Sequence, residues 1–299
     1  MAQQQRILVT GANKGIGFAT VQTILEGGDN RFVFLGSRSK QRGEAAVENL
    51  LDDHPEFEGR VQLLQLDVAD DASVEAAAGQ VAGQFDEDAP LYGVVNNAGI
   101  GLGSADMQKV LDVNTRGPKR VCDAFLPLID PDGGRVVNVA SASGPNFVNR
   151  CSEQRQRLLT SPEVTWEQIE ELMDEAVAIE AEGGDFEEAG LGDGSPYGLS
   201  KACLNAYTIA LARENPNLVI NACTPGFIET DLTRPMAESR GVDPEEMGMK
   251  PPREGTRSIR FLLFDEPGGT GWYFGSDAER SPLDRYRSPG DPPYRGDDE

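Results

Sequence analysis

The stretch Arg6-Ile7-Leu8-Val9-Thr10-Gly11-Ala12-Asn13-Lys14-Gly15-Ile16-Gly17 decides how the chain is read. A short apolar strand ends in Gly11. A helical stretch follows from about residue 14 to 26, with Ile16, Ala19, Thr20, Thr23 and Ile24 along one face. Glycines at a strand-to-helix junction permit a tight turn. They also let backbone approach a pyrophosphate, which then sits on the helix N-terminus. Gly-rich turns are common, so the signal lies in the position, the first strand-to-helix junction. The spacing is G-x-x-x-G-x-G, not G-x-G-x-x-G.

Working outward, the same alternation recurs. Apolar strands are expected near 32–35, 61–66, 91–95, 134–139, 218–222 and 271–274, with helices between most of them. Strands apolar on both faces call for a parallel sheet covered on both sides. The expected fold class is α/β: a Rossmann-type, doubly wound, seven-stranded parallel sheet. Residues 145–195 contain no strand and interrupt the pattern. After Gly275 the chain is rich in Pro, Gly, Asp and Arg. One catalytic domain over 1–275, with an insertion at 145–195 and an irregular tail over 276–299, is the expected organisation.

Among 299 residues, 27 Lys plus Arg face 50 Asp plus Glu, a net charge of −23. That balance argues against nucleic acid or an anionic membrane as partner, because phosphate binding needs clustered cations. No apolar run approaches the roughly 20 residues of a membrane span. Met1-Ala2-Gln3-Gln4-Gln5 lacks a signal-peptide pattern. The sole histidine, His54, lies in a polar segment, which argues against His-based triads and His-rich metal sites. No metal is expected. Cys122, Cys151, Cys203 and Cys223 form no C-x-x-C pair, so reduced thiols in a cytoplasmic protein are expected.

The end of the second strand should meet the adenosine ribose, about 20 residues beyond the glycines. An acid there would bind a free 2′-hydroxyl. The chain has Gly36-Ser37-Arg38 and no carboxylate until Glu44. Arg38 offers a planar fork suited to a 2′-phosphate, and Ser37 and Lys14 can add donors, so NADP(H) is expected. An ordinary surface cation at Arg38 would leave the missing acid unexplained. Further on, Tyr197-Gly198-Leu199-Ser200-Lys201 sets a phenol and an ammonium on one helix face. A nearby ammonium favours phenolate, which lowers a Tyr pKa toward working pH and suits a general acid. Y-x-x-x-K alone is more often a surface pair. Here Ser141 follows the fifth strand and Asn96-Asn97-Ala98-Gly99 the fourth, both at the sheet edge where ligands bind. Asn114 sits mid-helix, where Asn is a poor residue, so function or a local bend is implied.

These motifs together, with LDV at 66–68 and TPGFIETDL at 224–232, resemble the short-chain dehydrogenase/reductase family up to about residue 275. The resemblance implies hydride transfer between a nicotinamide and a carbonyl or alcohol carbon. It implies Tyr197 as general acid/base, Lys201 on the nicotinamide ribose, Ser141 as substrate-orienting hydroxyl and Asn114 as support for a relay water. The loop residues Gly11, Asn13, Lys14, Gly15, Ile16 and Gly17 would cradle the cofactor, with Asp67 and Val68 at the adenine. Asn96, Ala98 and Gly99 would lie by the adjacent ribose, and Pro225, Gly226, Ile228 and Thr230 against the nicotinamide.

Ser141 and Tyr197 are 56 residues apart, an insertion similar to that of monomeric NADPH-dependent carbonyl reductases and of menthone and salutaridine reductases. Thr165 to Gln168 fits a capping box, and Trp166, Ile169, Met173, Ala176 and Val177 recur at helical spacing. An amphipathic helix over 165–181, lying on the body with Trp166 as packing, is expected. Family tetramers use the Tyr helix as an interface, so a covering insertion implies a monomer. Residues 151–195 hold 13 acids against Arg155 and Arg157, the pattern of an acidic, solvent-facing flap. The substrate pocket should take Ile100, Leu102, Phe147 and Phe227, an apolar set suited to a small-molecule carbonyl on a lipophilic or aromatic group. Phe227 replaces a Trp common in carbonyl reductases, and Thr224 a second Cys found in some. A non-catalytic NADP(H) sensor on the same fold, or an alcohol dehydrogenase working oxidatively, are the competing readings. Retention of Asn114, Ser141, Tyr197 and Lys201 speaks against the sensor.

Overall fold

Eight strands form one sheet in the order β3-β2-β1-β4-β5-β6-β7-β8 in the computed structural model, which describes residues 4–85, 88–101 and 106–296. They are β1 Gln5–Val9, β2 Arg31–Ser37, β3 Val61–Gln65, β4 Gly93–Asn96, β5 Arg135–Val139, β6 Val219–Cys223, β7 Tyr273–Phe274 and β8 Arg280–Ser281. The first seven pair in parallel, as their two-sided apolarity requires. The eighth, absent from the sequence reading, is an antiparallel hairpin partner of β7 contributed by the tail.

Period-2 alternation divides the core. Leu8, Phe34, Val94 and Val136 face one layer, while Ile7, Val9, Val33, Leu35, Val95 and Val137 face the other. The helices are α1 Gly15–Glu26, α2 Lys40–Asp53, α3 Asp71–Ala82, α4 Met107–Leu111, α5 Gly117–Phe125, α6 Ser143–Arg150, α7 Glu153–Thr160, α8 Trp166–Glu182, α9 Pro196–Glu214, α10 Arg234–Arg240 and α11 Arg257–Phe264. α1, α2 and α11 cover the second layer; α3 to α9 cover the first. Helical sequence over about 104–129, readable as one helix or two pieces, forms two, α4 and α5, joined by a π turn at Asp112–Arg116; Ser104 and the expected pocket residue Leu102 lie outside the described residues.

The insertion builds α7 and α8. The capping box forms: Gln168 N–H donates to Thr165 Oγ1 at 3.4 Å, and Thr165 N–H donates to Gln168 Oε1 at 3.1 Å. Ile169, Leu172, Met173 and Ala176 are buried on the α8 face that meets the body. Trp166 packs edge-on to Tyr207 of α9, centroids 5.4 Å apart. The acids face solvent, as the flap reading expects, and a few of them also tie the insertion to the body. Asp174 pairs with Arg116 at 2.6 Å, Arg155 pairs with Glu175, and Glu180 accepts from Met107 N–H at 3.0 Å at the start of α4.

His54 stacks on Phe57 and bonds Gln22, rather than lying free in solvent. The four cysteines are free and buried. Among the described residues, no helix is long and apolar enough to cross a membrane.

Candidate active site

The β1–α1 turn is built by close approach. Gly11 has φ +62°, and a Cβ there would lie 2.8 Å from Ala98 Cα. At Gly17 a Cβ would lie 2.5 Å from Asn97 Nδ2. The turn is stapled to the end of β4: Asn97 and Ala98 N–H both donate to Thr10 Oγ1 at 3.0 Å, and Asn97 Nδ2 donates to the Thr10 and Gly11 carbonyls. Thr10 and Asn97 were not among the expected site residues. Their signal was the hydroxyl before the first glycine and the doubled Asn after β4.

α1 begins with no side-chain cap and no acid in its first turn. Its first N–H groups and dipole therefore have no protein anion of their own. Arg38 is two-thirds exposed, with Nε 3.9 Å from Asp67 Oδ2. This donor set fits an anionic dinucleotide.

Several expected cofactor residues are engaged differently. Lys14 Nζ lies 2.6 Å from Asp231 Oδ2 and holds that carboxyl below its usual range. It meets a phosphate only by exchanging one anion for another. Ser37 is buried and its hydroxyl donates to the Ser39 carbonyl, so it presents no free donor. Asn96 is also buried; its amide donates to Asn138 Oδ1 at 2.9 Å, turning the side chain into the sheet and away from a ribose. Asp67 Oδ1 accepts from Ala69 N–H, and Val68 packs against Gly117.

The π turn shows that Asn114 marks a local bend. Pro118 has no N–H for the Asn114 carbonyl four residues earlier, so the ordinary helical bond cannot form there. The fully buried Asn114 side chain donates to Ile100 O at 2.9 Å and Ser200 Oγ at 3.0 Å, and accepts from Ile100 N–H at 2.9 Å. A Cβ on Gly99 would lie 3.4 Å from Asn114 Oδ1 and 3.7 Å from Lys201 Nζ, so the three positions converge.

Lys201 is buried and donates to the Val139 carbonyl at 2.9 Å. Burial pushes its ammonium down to about 8. Tyr197 is pushed up by burial, with a hydrogen bond from Ser141 opposing in part. The expected depression of the Tyr197 pKa is therefore not the balance in the protein alone. The Lys201 nitrogen lies 5.7 Å from the Tyr197 ring centroid, and its hydrogen bond is aimed at Val139, so desolvation outweighs the charge.

Ser141 and Tyr197 line one cavity of about 260 Å³, together with Pro225, Gly226, Phe227 and Thr230. Of the expected pocket residues that are described, only Phe227 lies there. Ile100 turns its backbone to Asn114. Phe147 is a correction: it is fully buried, and a Cβ on Gly198 would touch it at 3.0 Å. The reason is that α6 packs closely on α9 at Gly144 and Gly198, which places the apolar Phe147 in that interface instead of in the pocket.

Residues 5–152 match the family model for short chain dehydrogenase. A (+)-neomenthol dehydrogenase from Arabidopsis thaliana is 34% identical over 252 residues, covering 75% of this chain and 83% of that protein. A carbonyl reductase [NADPH] 1 from Bos taurus is 34% identical over 255 residues, covering 80% and 86%. The solved salutaridine reductase from Papaver somniferum superposes with a TM-score of 0.74 at 26% identity, covering 90% of this chain and 99% of that one.

Proposed function

The chain belongs to the short-chain dehydrogenase/reductase family, and within it we propose an NADPH-dependent reductase of ketones or aldehydes carried on lipophilic groups. The cofactor is NADP(H), in line with the NADPH-named relative and with Arg38 standing where an NAD-binding acid would be. When bound, it supplies the hydride.

The observation that carries the reading is the placement of Ser141 and Tyr197 on one cavity wall, with Lys201 and Asn114 buried beside them. Tyr197, kept protonated by burial, donates a proton to the carbonyl oxygen. Ser141 orients that oxygen by hydrogen bonding. Lys201 returns the proton to Tyr197 and is itself resupplied by a water held by the Asn114 carbonyl, which Pro118 leaves without its ordinary helical donor. Gly11, Gly15 and the open start of α1 receive the pyrophosphate, and Arg38 the 2′-phosphate.

A monomer in the cytoplasm is part of the same reading. α9 is buried almost along its length, and α8 lies against it. Light scattering showing a tetramer at micromolar concentration would contradict this.

The test of function is an NADPH-consumption screen over aldehydes, quinones, α-dicarbonyls and cyclic ketones, repeated with NADH. Consumption with several lipophilic carbonyls and a much lower KM for NADPH is expected. No turnover with any carbonyl, or equal KM values, would overturn the reading.

A further inference from the structure

Three large hydrophobic side chains are notably exposed among the described residues: Phe227, Val242 and Tyr286. Two of them, Phe227 at 38% and Tyr286 at 46%, line the cavity that holds Ser141 and Tyr197. Exposed aromatics gathered at one cavity mark a binding surface. Phe227 comes from the loop after β6. Tyr286 comes from the C-terminal tail, which also gives the cavity Ser276, Arg287 and Pro289.

Besides β8 pairing and the stacking of Arg280 on Trp272, the tail is anchored by one buried cation. Arg287 is buried, and its guanidinium donates to Ser281 Oγ in β8 at 3.1 Å, to the Asp291 carbonyl at 2.9 Å and to Asp277 Oδ1 at 2.5 Å. Ser288 N–H donates to Asp291 Oδ2 at 2.8 Å, closing the turn that follows. Tyr286 thus stands on anchored backbone next to Arg287. With its charge spent on Asp277, Arg287 has no free cation for a substrate.

We propose that Tyr286 of the tail and Phe227 form an aromatic mouth that selects uncharged, ring-bearing ketones for reduction at Tyr197. The proposal rests on the reductase reading above and goes beyond it by making the tail part of the substrate site. Pro225, Gly226, Ile228 and Thr230, expected against the nicotinamide, line the same cavity of about 260 Å³, so only its Phe227 and Tyr286 end is left to the substrate. A ketone with a single ring is the class that end takes. The selected feature is the ring: its faces meet aromatic side chains, and no paired charge has to be broken to admit it.

The test compares acetophenone with 2-butanone. In Tyr286→Ala, the ratio of kcat/KM for acetophenone to that for 2-butanone falls about tenfold, as expected for loss of one aromatic contact. Phe227→Ala lowers the same ratio. An unchanged ratio in both variants overturns the proposal. A second arm does not depend on turnover. The native cysteines are all buried, so Tyr286→Cys introduces the one exposed thiol expected to react with a maleimide. With NADP+ present, acetophenone should slow labelling at position 286 severalfold and 2-butanone should not. If acetophenone protects yet neither ketone consumes NADPH, the mouth stands and the reductase reading falls. If the wild-type protein reduces ketones but acetophenone gives no protection, the mouth is overturned and the reductase reading stands.

Discussion

The insertion around α8 and the C-terminal tail both lie outside the repeating strand–helix pattern, and they are held by different forces. α8 is held by an apolar stripe, Ile169, Leu172, Met173 and Ala176, pressed onto the body. The tail places two residues in a strand, β8, and its buried Arg287 reaches Ser281, Asp277 and Asp291. Burial of apolar area is spread over many contacts and is insensitive to pH. A polar clamp concentrates its effect in one side chain and fails when either partner is lost or protonated. The α8 region therefore contributes to stability, while the tail lines the cavity.

The largest expected effect falls on the α8 side. Met173→Ala removes a fully buried side chain and should cost roughly 2–5 kcal/mol, read from urea unfolding. Next comes the clamp. Arg287→Leu leaves Asp277, itself largely buried, without its cation. We expect the tail amides to lose hydrogen-exchange protection while those of β1, β4 and β5 keep theirs. Uniform loss across the sheet would erase the distinction between the two regions.

Acid should separate the regions as well. Burial raises the Asp277 carboxyl, but Arg287 and the backbone N–H groups of Glu279 and Gly290 outweigh it and hold it below its ordinary value of 3.8. A carboxyl with a lowered native pKa stabilises the fold fully above its unfolded pKa. That stabilisation is lost as pH falls through the lower native value. The tail should therefore loosen below about pH 4, visible as faster tail-specific proteolysis, while α8 packing persists. The smallest effect is Thr165→Ala. It removes half of the capping box and should cost about 1 kcal/mol without altering substrate preference.

The same contrast explains what could be read from the sequence. The parallel sheet, the glycine turn, the Ser141–Tyr197 pairing and α8 all follow from periodicity, capping and motif spacing, which are local signals. Phe147 could not be placed, because its apolar character fits a pocket or a helix interface equally well and only the packing of α6 on α9 decides. Asn96 and Ser37 sit at the expected strand ends, yet each side chain turns inward to a partner invisible in the motif, Asn138 and the Ser39 carbonyl. The role of the tail was hidden most deeply. Pro, Gly and Asp set its irregular backbone, but the long-range bonds of Arg287 and the return of Tyr286 to the cavity leave no periodic trace.

Charge at Lys201 has a kinetic consequence. Its ammonium, pushed down to about 8 by burial, is protonated below that pH and neutral above it. Because kcat/KM for NADPH reports the free enzyme, it should decline as pH rises through that value. Tyr197, pushed the other way, stays protonated over the same range.

The central claim is that the Tyr197 hydroxyl is the proton donor at a site which binds NADPH without it. Tyr197→Phe removes that hydroxyl and keeps the ring. Carbonyl-dependent NADPH consumption should fall by roughly 10²–10⁴-fold, while NADPH titrated into the same variant by fluorescence should bind with a Kd close to that of the wild-type protein. Near-normal turnover in Tyr197→Phe would contradict the account.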